Sequence, residues 1–250
     1  MPLIVGTSGW QYRDWRGVLY PEGLPQKAWL GRYAETFPAV EVNNAFYRLP
    51  ERWVFERWRE QTPAGFVVAV KVSRYLTHVR RLQEPREPVA RLVDRAAGLG
   101  PRLGPYLLQL QPTLRASADR LDACLRAFPR DARVAVEPRH ESWWTDEVRS
   151  ILERHDAALC WADRSGRPVT PLWVTADWGY VRLHEGTASP SSSYGRTALA
   201  SWLDRIDDRW PSARGTDVFV FFNNDRGGAA VRNARTLVRM ADRRGFVRAS

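Results

Sequence analysis

The sequence predicts an α/β fold, namely a single (β/α)8 barrel of the TIM type that occupies residues 1–250. Short runs of apolar and β-branched residues alternate along the chain with amphipathic helical stretches, which is typical of a parallel sheet buried on both faces. About eight such units fit into a length that one α/β barrel commonly occupies. No glycine-rich loop of the dinucleotide or Walker type follows any strand, which disfavours an open nucleotide-binding sheet.

The predicted strands are eight short runs in which branched and apolar side chains predominate. In chain order they are Leu3–Thr7, Ala39–Asn43, Phe66–Lys71, Tyr106–Leu110, Val134–Glu137, Ala158–Ala162, Tyr180–His184 and Val218–Phe222.

Helical patterns lie between the later strands. After Thr145, whose hydroxyl is suited to cap a helix N-terminus, apolar positions recur at helical spacing. These positions are Val148, Ile151, Leu152 and His155. Two further stripes have the same spacing, Leu199, Trp202, Leu203 and Ile206, and then Val231, Ala234, Val238 and Ala241 before Gly245.

Composition limits the function classes. At 44% hydrophobic residues the chain is too apolar for a disordered protein, and no run approaches the roughly 20 apolar residues of a membrane span. The formal charge of +10 favours an anionic ligand, either nucleic acid or a phosphorylated small molecule. Because Lys27 and Lys71 are the only lysines, codon bias toward arginine is a competing explanation of that charge. We expect a cytoplasmic protein with Cys124 and Cys160 as reduced core thiols, and the oligomeric state is left open.

Polar side chains occur late in the strands, on one face. Strand side chains alternate between faces, so Glu41 and Asn43 point the same way, as do Arg182 and His184. Buried charges need partners, and in TIM barrels the carboxyl ends of the strands carry the active site. The sequence therefore predicts a polar pocket at this end. Its candidate members are Glu41, Asn43, Lys71, Gln109, Gln111, Glu137, Arg139, Asp163, Arg182 and His184.

Loops and aromatic residues add to the predicted site. Residues 74–81 are basic, and residues 186–195 have the composition of a mobile lid. In residues 223–228, Asn223 and Asn224 precede a glycine pair whose backbone N–H groups would suit an anion, although an ordinary helix-entry turn has the same pattern. The aromatic candidates for stacking on a base or sugar ring are Trp10, Tyr12, Tyr47 and Trp143, and packing of the barrel rim is the more common role for any one of them.

Several of these segments together resemble the domain-of-unknown-function 72 (YecE-like) family, and the resemblance covers nearly the whole chain. It rests on Gly6–Trp10 with Tyr12, Trp15 and Gly17–Pro21, Glu41–Tyr47, Lys71–Ser73, Gln109–Pro112, Glu137–His140 with Trp143, and Phe222–Asp225. The resemblance implies a TIM barrel and no established reaction. A likeness of that barrel to endonuclease and sugar-isomerase barrels makes nucleic acid a candidate ligand by analogy of fold alone.

The leading functional hypothesis is a hydrolase or lyase, such as a phosphodiesterase or endonuclease, that acts on a phosphate-bearing substrate. Glu137 would be general base or metal ligand beside Glu41, while His140 or His184 would move protons. Arg139 and Arg182 would hold phosphate oxygens, with Gln109, Asn223 and Asn224 as further substrate contacts. Four histidines are a poor supply for a trinuclear zinc site, so an oxygen-ligated Mg²⁺ or Mn²⁺ or metal-free chemistry is expected.

Three alternatives compete with it. Lys71 could form a Schiff base with a sugar or keto acid, because burial lowers the pKa of an amine. The protein could instead be a non-catalytic nucleic-acid-binding module that uses Arg74, Arg80 and Arg81. Finally, Glu41, Lys71 and Glu137 could be buried ion pairs that only stabilise the fold.

Overall fold

The computed structural model describes residues 2–189, 192–210 and 215–248. The strands are β1 (Pro2–Ser8), β2 (Ala39–Val42), β3 (Val67–Lys71), β4 (Leu103–Gln109), β5 (Val134–Glu137), β6 (Ala158–Leu159), β7 (Trp161–Arg164), β8 (Arg167–Pro168), β9 (Gly179–Leu183), β10 (Val218–Phe222) and β11 (Val247–Arg248). The helices are α1 (Trp29–Ala34), α2 (Asn44–Tyr47), α3 (Arg52–Glu60), α4 (Arg86–Ala96), α5 (Ala118–Arg126), α6 (Asp146–Arg154), α7 (Arg196–Arg209) and α8 (Ala229–Arg243).

The strands form one curled, mostly parallel sheet. Its hydrogen-bonded order is β6-β5-β4-β3-β2-β1-β10-β9-β7-β8, and β11 pairs with β1. The first strand therefore lies in the middle of the sheet beside one of the last, with Leu3 opposite Val218. Among the described strands only the β7–β8 hairpin is antiparallel. This arrangement confirms the predicted α/β class with parallel strands.

The sixth predicted strand, Ala158–Ala162, is not continuous. It is interrupted at Cys160, so that β6 pairs with β5 whereas β7 pairs with β9. Because the strand changes its partner between its two halves, Cys160 at the point of change belongs to neither β6 nor β7. The prediction also missed β8, which follows a tight turn with positive φ at Ser165 and Gly166.

Alternation along the strands separates two hydrophobic cores. On the concave side of the curled sheet, residues such as Ile4, Leu107 and Phe219 pack together in a small cluster. Their neighbours in sequence, such as Val5 and Leu108, belong to a larger cluster that packs the sheet against the helices. Apolar side chains fill the concave side up to the level where the polar residues begin.

The helices follow the predicted stripes. The Thr145 hydroxyl accepts a hydrogen bond from the Val148 N–H at 3.2 Å, which confirms the predicted cap of α6. On α7 all four predicted apolar residues are buried. On α8 Leu237 is buried while Val238 is only half-buried, and Gly245 follows the helix with a φ of +79°. None of the helices in the described part of the chain has the length and apolar character that a membrane span requires.

Candidate active site

Arg182 is the centre of the polar end of the sheet. It lies on β9, is 1% exposed and reaches across the concave side to carboxylates on two other strands. Its Nη1 donates to Glu137 Oε2 at 2.6 Å, and its Nη2 donates to Glu41 Oε1 at 2.7 Å. Since β2, β5 and β9 are not neighbours in the sheet, the three side chains meet only because the sheet is curled.

Glu137 on β5 accepts hydrogen bonds from four side chains. Besides Arg182, Gln109 donates to Oε2 at 2.8 Å, while Arg139 and His184 lie 3.0 and 3.1 Å from Oε1. Burial alone would raise the pKa of Glu137, but the charges of Arg182, His184 and Arg139 hold that pKa well below its usual range. Glu137 is therefore an ionised carboxylate with both oxygens occupied.

Glu41 on β2 is equally buried and also engaged at both oxygens. Ser8 donates to Oε1 at 2.8 Å, and the Tyr180 hydroxyl donates to Oε2 at 2.6 Å. Burial opposes ionisation, but the charge of Arg182, the Tyr180 hydrogen bond and the charge of Lys71 lower the pKa of Glu41. Two ionised carboxylates thus surround one guanidinium.

His184 lies between Glu137 and Asn223. Its Nε2 is 3.1 Å from Glu137 Oε1, and its Nδ1 is 3.0 Å from Asn223 Nδ2. The side chain is 16% exposed and is thus within reach of a bound molecule.

Lys71 on β3 differs from the other charged groups of the site. Its Nζ lies 4.2 Å from the centroid of the Phe46 ring. Among residues 2–189, 192–210 and 215–248, no group accepts a hydrogen bond from it or lies within ion-pair distance. Burial and the charge of Arg182 lower the pKa of Lys71 to about 8, against the opposing charges of Glu41 and Glu137. A larger fraction of this amine is therefore neutral near physiological pH than in an ordinary lysine.

A two-lobed cavity opens over these groups. The larger lobe has a volume of about 760 Å³ and the smaller lobe about 530 Å³. Arg139, Asn223 and Asp225 line both lobes and so mark the junction between them. The predicted residues that line the smaller lobe are Trp10, Tyr12, Asn43, Tyr47, Lys71, Gln109 and Arg182. Those that line the larger lobe are Glu137, Asp163, His184 and Asn224.

Four residues assigned to the site from the sequence line neither lobe, namely Glu41, Gln111, His140 and Trp143. Trp143 is fully buried, and its indole N–H donates to the Leu114 carbonyl at 2.7 Å. His140 accepts a hydrogen bond from the Ser142 N–H at 3.1 Å and begins a short 3-10 turn. Both side chains organise the loop after β5, which places Arg139 beside Glu137.

Of the three predicted loops, the glycine turn differs from expectation. In the glycine turn, the Gly227 N–H donates to the Asp14 carboxylate at 2.6 Å, so a carboxylate of the protein itself occupies the expected anion position. Of the expected lid, Pro190 and Ser191 lie outside the described residues. The parts on either side of them pair at Ala188 and Ser193. Residues 74–81 include a π-helical turn, Tyr75–Val79.

Asp163 in the larger lobe and Tyr194, which donates to it, were not assigned a chemical role from the sequence. Asp163 Oδ1 accepts from the Tyr194 hydroxyl at 2.6 Å and from the His184 N–H at 2.8 Å. Burial raises the pKa of Asp163 to about 6. Asp163 was visible as a polar residue late in a strand, but Tyr194 lies in a loop without periodicity, so no pattern pointed to it.

The residues do not fit the Mg²⁺ or Mn²⁺ site expected from oxygen ligands. Arg182 lies between Glu41 and Glu137, where its charge repels a cation, and both carboxylates already accept several hydrogen bonds. Within the described residues no three His, Cys, Asp or Glu side chains are grouped to hold a metal ion.

Comparison with known proteins gives consistent matches over nearly the whole chain. A family model described as protein of unknown function DUF72 matches residues 4–249. The UPF0759 protein YunF of Bacillus subtilis (strain 168) is 24% identical over 273 residues, which cover 96% of this chain and 95% of YunF. The UPF0759 protein YecE of Escherichia coli O157:H7 is 30% identical over 171 residues, which cover 67% of this chain and 60% of YecE.

Solved structures have the same fold. The DUF72 family protein TM1631 from Thermotoga maritima superposes with a TM-score of 0.83 at 26% identity, covering 97% of this chain and 100% of that one. The DUF72 family protein EF0366 from Enterococcus faecalis V583 gives a TM-score of 0.80 over 96% of this chain and 95% of its own. At 19% identity the second similarity shows the fold alone.

Proposed function

The chain belongs to the DUF72 family, which is described as having unknown function, and from the site we propose that the protein is an enzyme whose Lys71 amine forms an imine with the carbonyl carbon of a small anionic substrate. The observation that carries this proposal is the state of Lys71. It is a buried amine that lines a cavity, has no acceptor among the described residues, and has a pKa lowered to about 8. These are the conditions that turn a lysine into a nucleophile.

The chemistry requires the neutral amine. The Nζ lone pair attacks the carbonyl carbon, and the two amine hydrogens leave with the carbonyl oxygen as water, so that a C=N bond replaces the C=O bond. Protonation of that imine makes it a sink for the electrons of an adjacent bond, which is the basis of lyase and isomerase reactions of this type.

The charges around the smaller lobe support an anionic substrate, as the sequence predicted. Arg139 uses Nε to hold Glu137 and keeps its side chain 33% exposed. A phosphate or carboxylate group of the substrate would pair with the Arg139 guanidinium, which leaves the neutral Lys71 amine for attack on the carbonyl carbon. His184 lines the larger lobe and is available for proton transfer.

The phosphodiesterase hypothesis receives less support. Glu137 was its general base or metal ligand, yet four donors occupy this carboxylate and its pKa is lowered. The nucleic-acid-binding hypothesis stays a prediction. Arg74 and Arg81 are exposed, whereas Arg80 is paired with Glu84.

We further propose that the sheet closes into a (β/α)8 barrel and that residues 1–250 form one domain. In support, β6 and β7 are joined through Cys160 alone and pair with β5 and β9 respectively, so the chain bridges the two sides of the opening. We also propose a cytoplasmic location, because Cys124 and Cys160 are buried free thiols.

The test of Lys71 is reductive trapping. The protein is incubated with pyruvate, dihydroxyacetone phosphate or ribose 5-phosphate, reduced with borohydride, and mapped by peptide mass spectrometry. We expect an adduct on Lys71 that is absent from Lys71→Arg. Lys27→Arg is the matched control, because Lys27 is the only other lysine and is exposed. The proposal is overturned if none of the three compounds gives an adduct, or if Lys71→Arg is labelled as strongly as the wild type.

A further inference from the structure

Three residues of the larger lobe have a buried oxygen without a hydrogen-bond partner in the described part of the chain, namely Asp163 Oδ2, Ser192 Oγ and Asn224 Oδ1. Asp163 Oδ2 and Asn224 Oδ1 are both buried and lack a donor within the described part of the chain, and both residues line this lobe. We propose that the larger lobe is a subsite for hydroxyl groups of the substrate, whose hydrogens Asp163 and Asn224 accept. This subsite deepens the proposed function, on which it rests for the anionic end of the substrate.

The orientation of the Asn224 amide is fixed by its neighbours. The Tyr194 N–H donates to Asn233 Oδ1, and Asn233 Nδ2 donates to the Tyr194 carbonyl, so the Asn233 amide has only one orientation. Asn224 Nδ2 then donates to Asn233 Oδ1 at 2.9 Å and to the Ser192 carbonyl at 2.8 Å. Because both partners are acceptors, Asn224 must present its amide group to them and keep Oδ1 as a free acceptor.

Asp163 is held by the same tyrosine. The Tyr194 hydroxyl and the His184 N–H both donate to Oδ1, so Oδ2 is the oxygen without a donor. Asp163 is 1% exposed and Asn224 is 3% exposed. A buried acceptor without a donor costs free energy that it would recover only from a donor inside the lobe.

The shape of the cavity joins this subsite to the cationic lobe. Arg139 and Asn223 line both lobes, so one molecule can extend from Lys71 past the junction to Asp163 and Asn224. A lobe of about 760 Å³ is within the size range of small-molecule sites. Cations at one end and hydroxyl acceptors at the other fit a polyhydroxylated chain with a terminal phosphate or carboxylate, which is the chemistry of sugar phosphates and sugar acids.

Titration calorimetry with two phosphates tests the subsite without involving imine formation. Ribitol 5-phosphate carries hydroxyl groups and no carbonyl, and pentyl phosphate is the same chain without hydroxyls. We expect the wild-type protein to bind ribitol 5-phosphate at least about tenfold more tightly than pentyl phosphate. About one or two hydrogen bonds to buried acceptors would produce this difference. Asp163→Asn replaces the free oxygen with an amide donor, and Asn224→Leu removes the other acceptor. Each substitution should bring the ratio of the affinities for ribitol 5-phosphate and pentyl phosphate closer to one.

Glu141→Gln is the matched control, since Glu141 lines the same lobe but is exposed, and it should preserve the ratio. Thermal unfolding of each variant checks that it folds, and the comparison of the two ligands on the wild type needs no variant. Equal affinity for both phosphates, no binding of either, or an unchanged ratio in both variants overturns the subsite. A tight ribitol phosphate complex without borohydride trapping would instead remove the Lys71 imine and leave the subsite in place.

Discussion

Replacement of Arg182 by methionine removes the guanidinium that both carboxylates share while keeping an unbranched side chain of similar length. Glu41 and Glu137 would then lie buried without their main counter-charge. Loss of one partner from a buried ion pair typically costs about 3–5 kcal/mol, because the remaining charge is left in a medium of low dielectric constant. For a chain of this size that corresponds to a fall in Tm of about 6–20 °C.

The pH dependence has a definite sign. In the wild type, the charge of Arg182 holds the pKa of both carboxyls down against burial, so their pairing stabilises the fold at neutral pH and is lost progressively as the pH falls from about 4.3 through the lowered pKa values. In Arg182→Met, loss of that charge would raise both pKa values, so protonation would begin at a higher pH than in the wild type and would relieve the cost of two buried charges. The difference in the free energy of unfolding should therefore be greatest near neutral pH and shrink as the solution is acidified.

Urea unfolding at neutral and acidic pH, followed by fluorescence of the tryptophans, measures this difference. Arg91→Met is the matched control, because Arg91 is 59% exposed in its ion pair with Glu87 and should contribute no more than about 1 kcal/mol. Glu41→Gln added to Arg182→Met should restore part of the loss. A change of less than about 1 kcal/mol in Arg182→Met at neutral pH would refute the reasoning.

Three more outcomes are expected from individual side chains. Borohydride trapping of Lys71 should rise with pH around a midpoint near 8, since only the neutral amine attacks, whereas a midpoint above about 10 would indicate an ordinary lysine. Burial raises the pKa of Asp163 to about 6, so its ionised form weakens folding above its unfolded pKa. Asp163→Asn should then raise the free energy of unfolding by about 1–3 kcal/mol near neutral pH and not below about pH 4, and a gain that persists in acid would contradict this. Thr145→Ala should lower the free energy of unfolding by about 1 kcal/mol in urea through loss of the α6 cap, while Thr145→Ser should retain most of it.

The strand pattern explains why much of the site could be predicted from the sequence. Glu41, Lys71, Gln109, Glu137 and Arg182 each follow an interior apolar residue by two positions, and a period of two carries all of them to the same side and end of the sheet. Local regularity was sufficient because the backbone alone decides which way these side chains point.

Other features depend on contacts between segments far apart in the chain. Three features require the folded arrangement of two or more loops or strands. They are the hydrogen bond from the Gly227 N–H to Asp14, the orientation of Asn224 by Asn233 and Tyr194, and the break at Cys160. Trp143 shows the same limit, since its sequence position after β5 was right for the site but its indole turns to Leu114. Residue type and spacing cannot decide such choices.

The position of β1 beside β10 has a consequence for biosynthesis. Leu3 leaves the ribosome about 215 residues ahead of its partner Val218. At roughly 5–20 residues per second, one edge of the first strand waits on the order of ten seconds or longer for that partner. Until then the nascent chain presents Leu3, Ile4 and Val5 on an unpaired edge, which other chains can join and which chaperones can cover. Growth temperature and translation rate should therefore affect the yield of folded protein more strongly than substitutions on its surface.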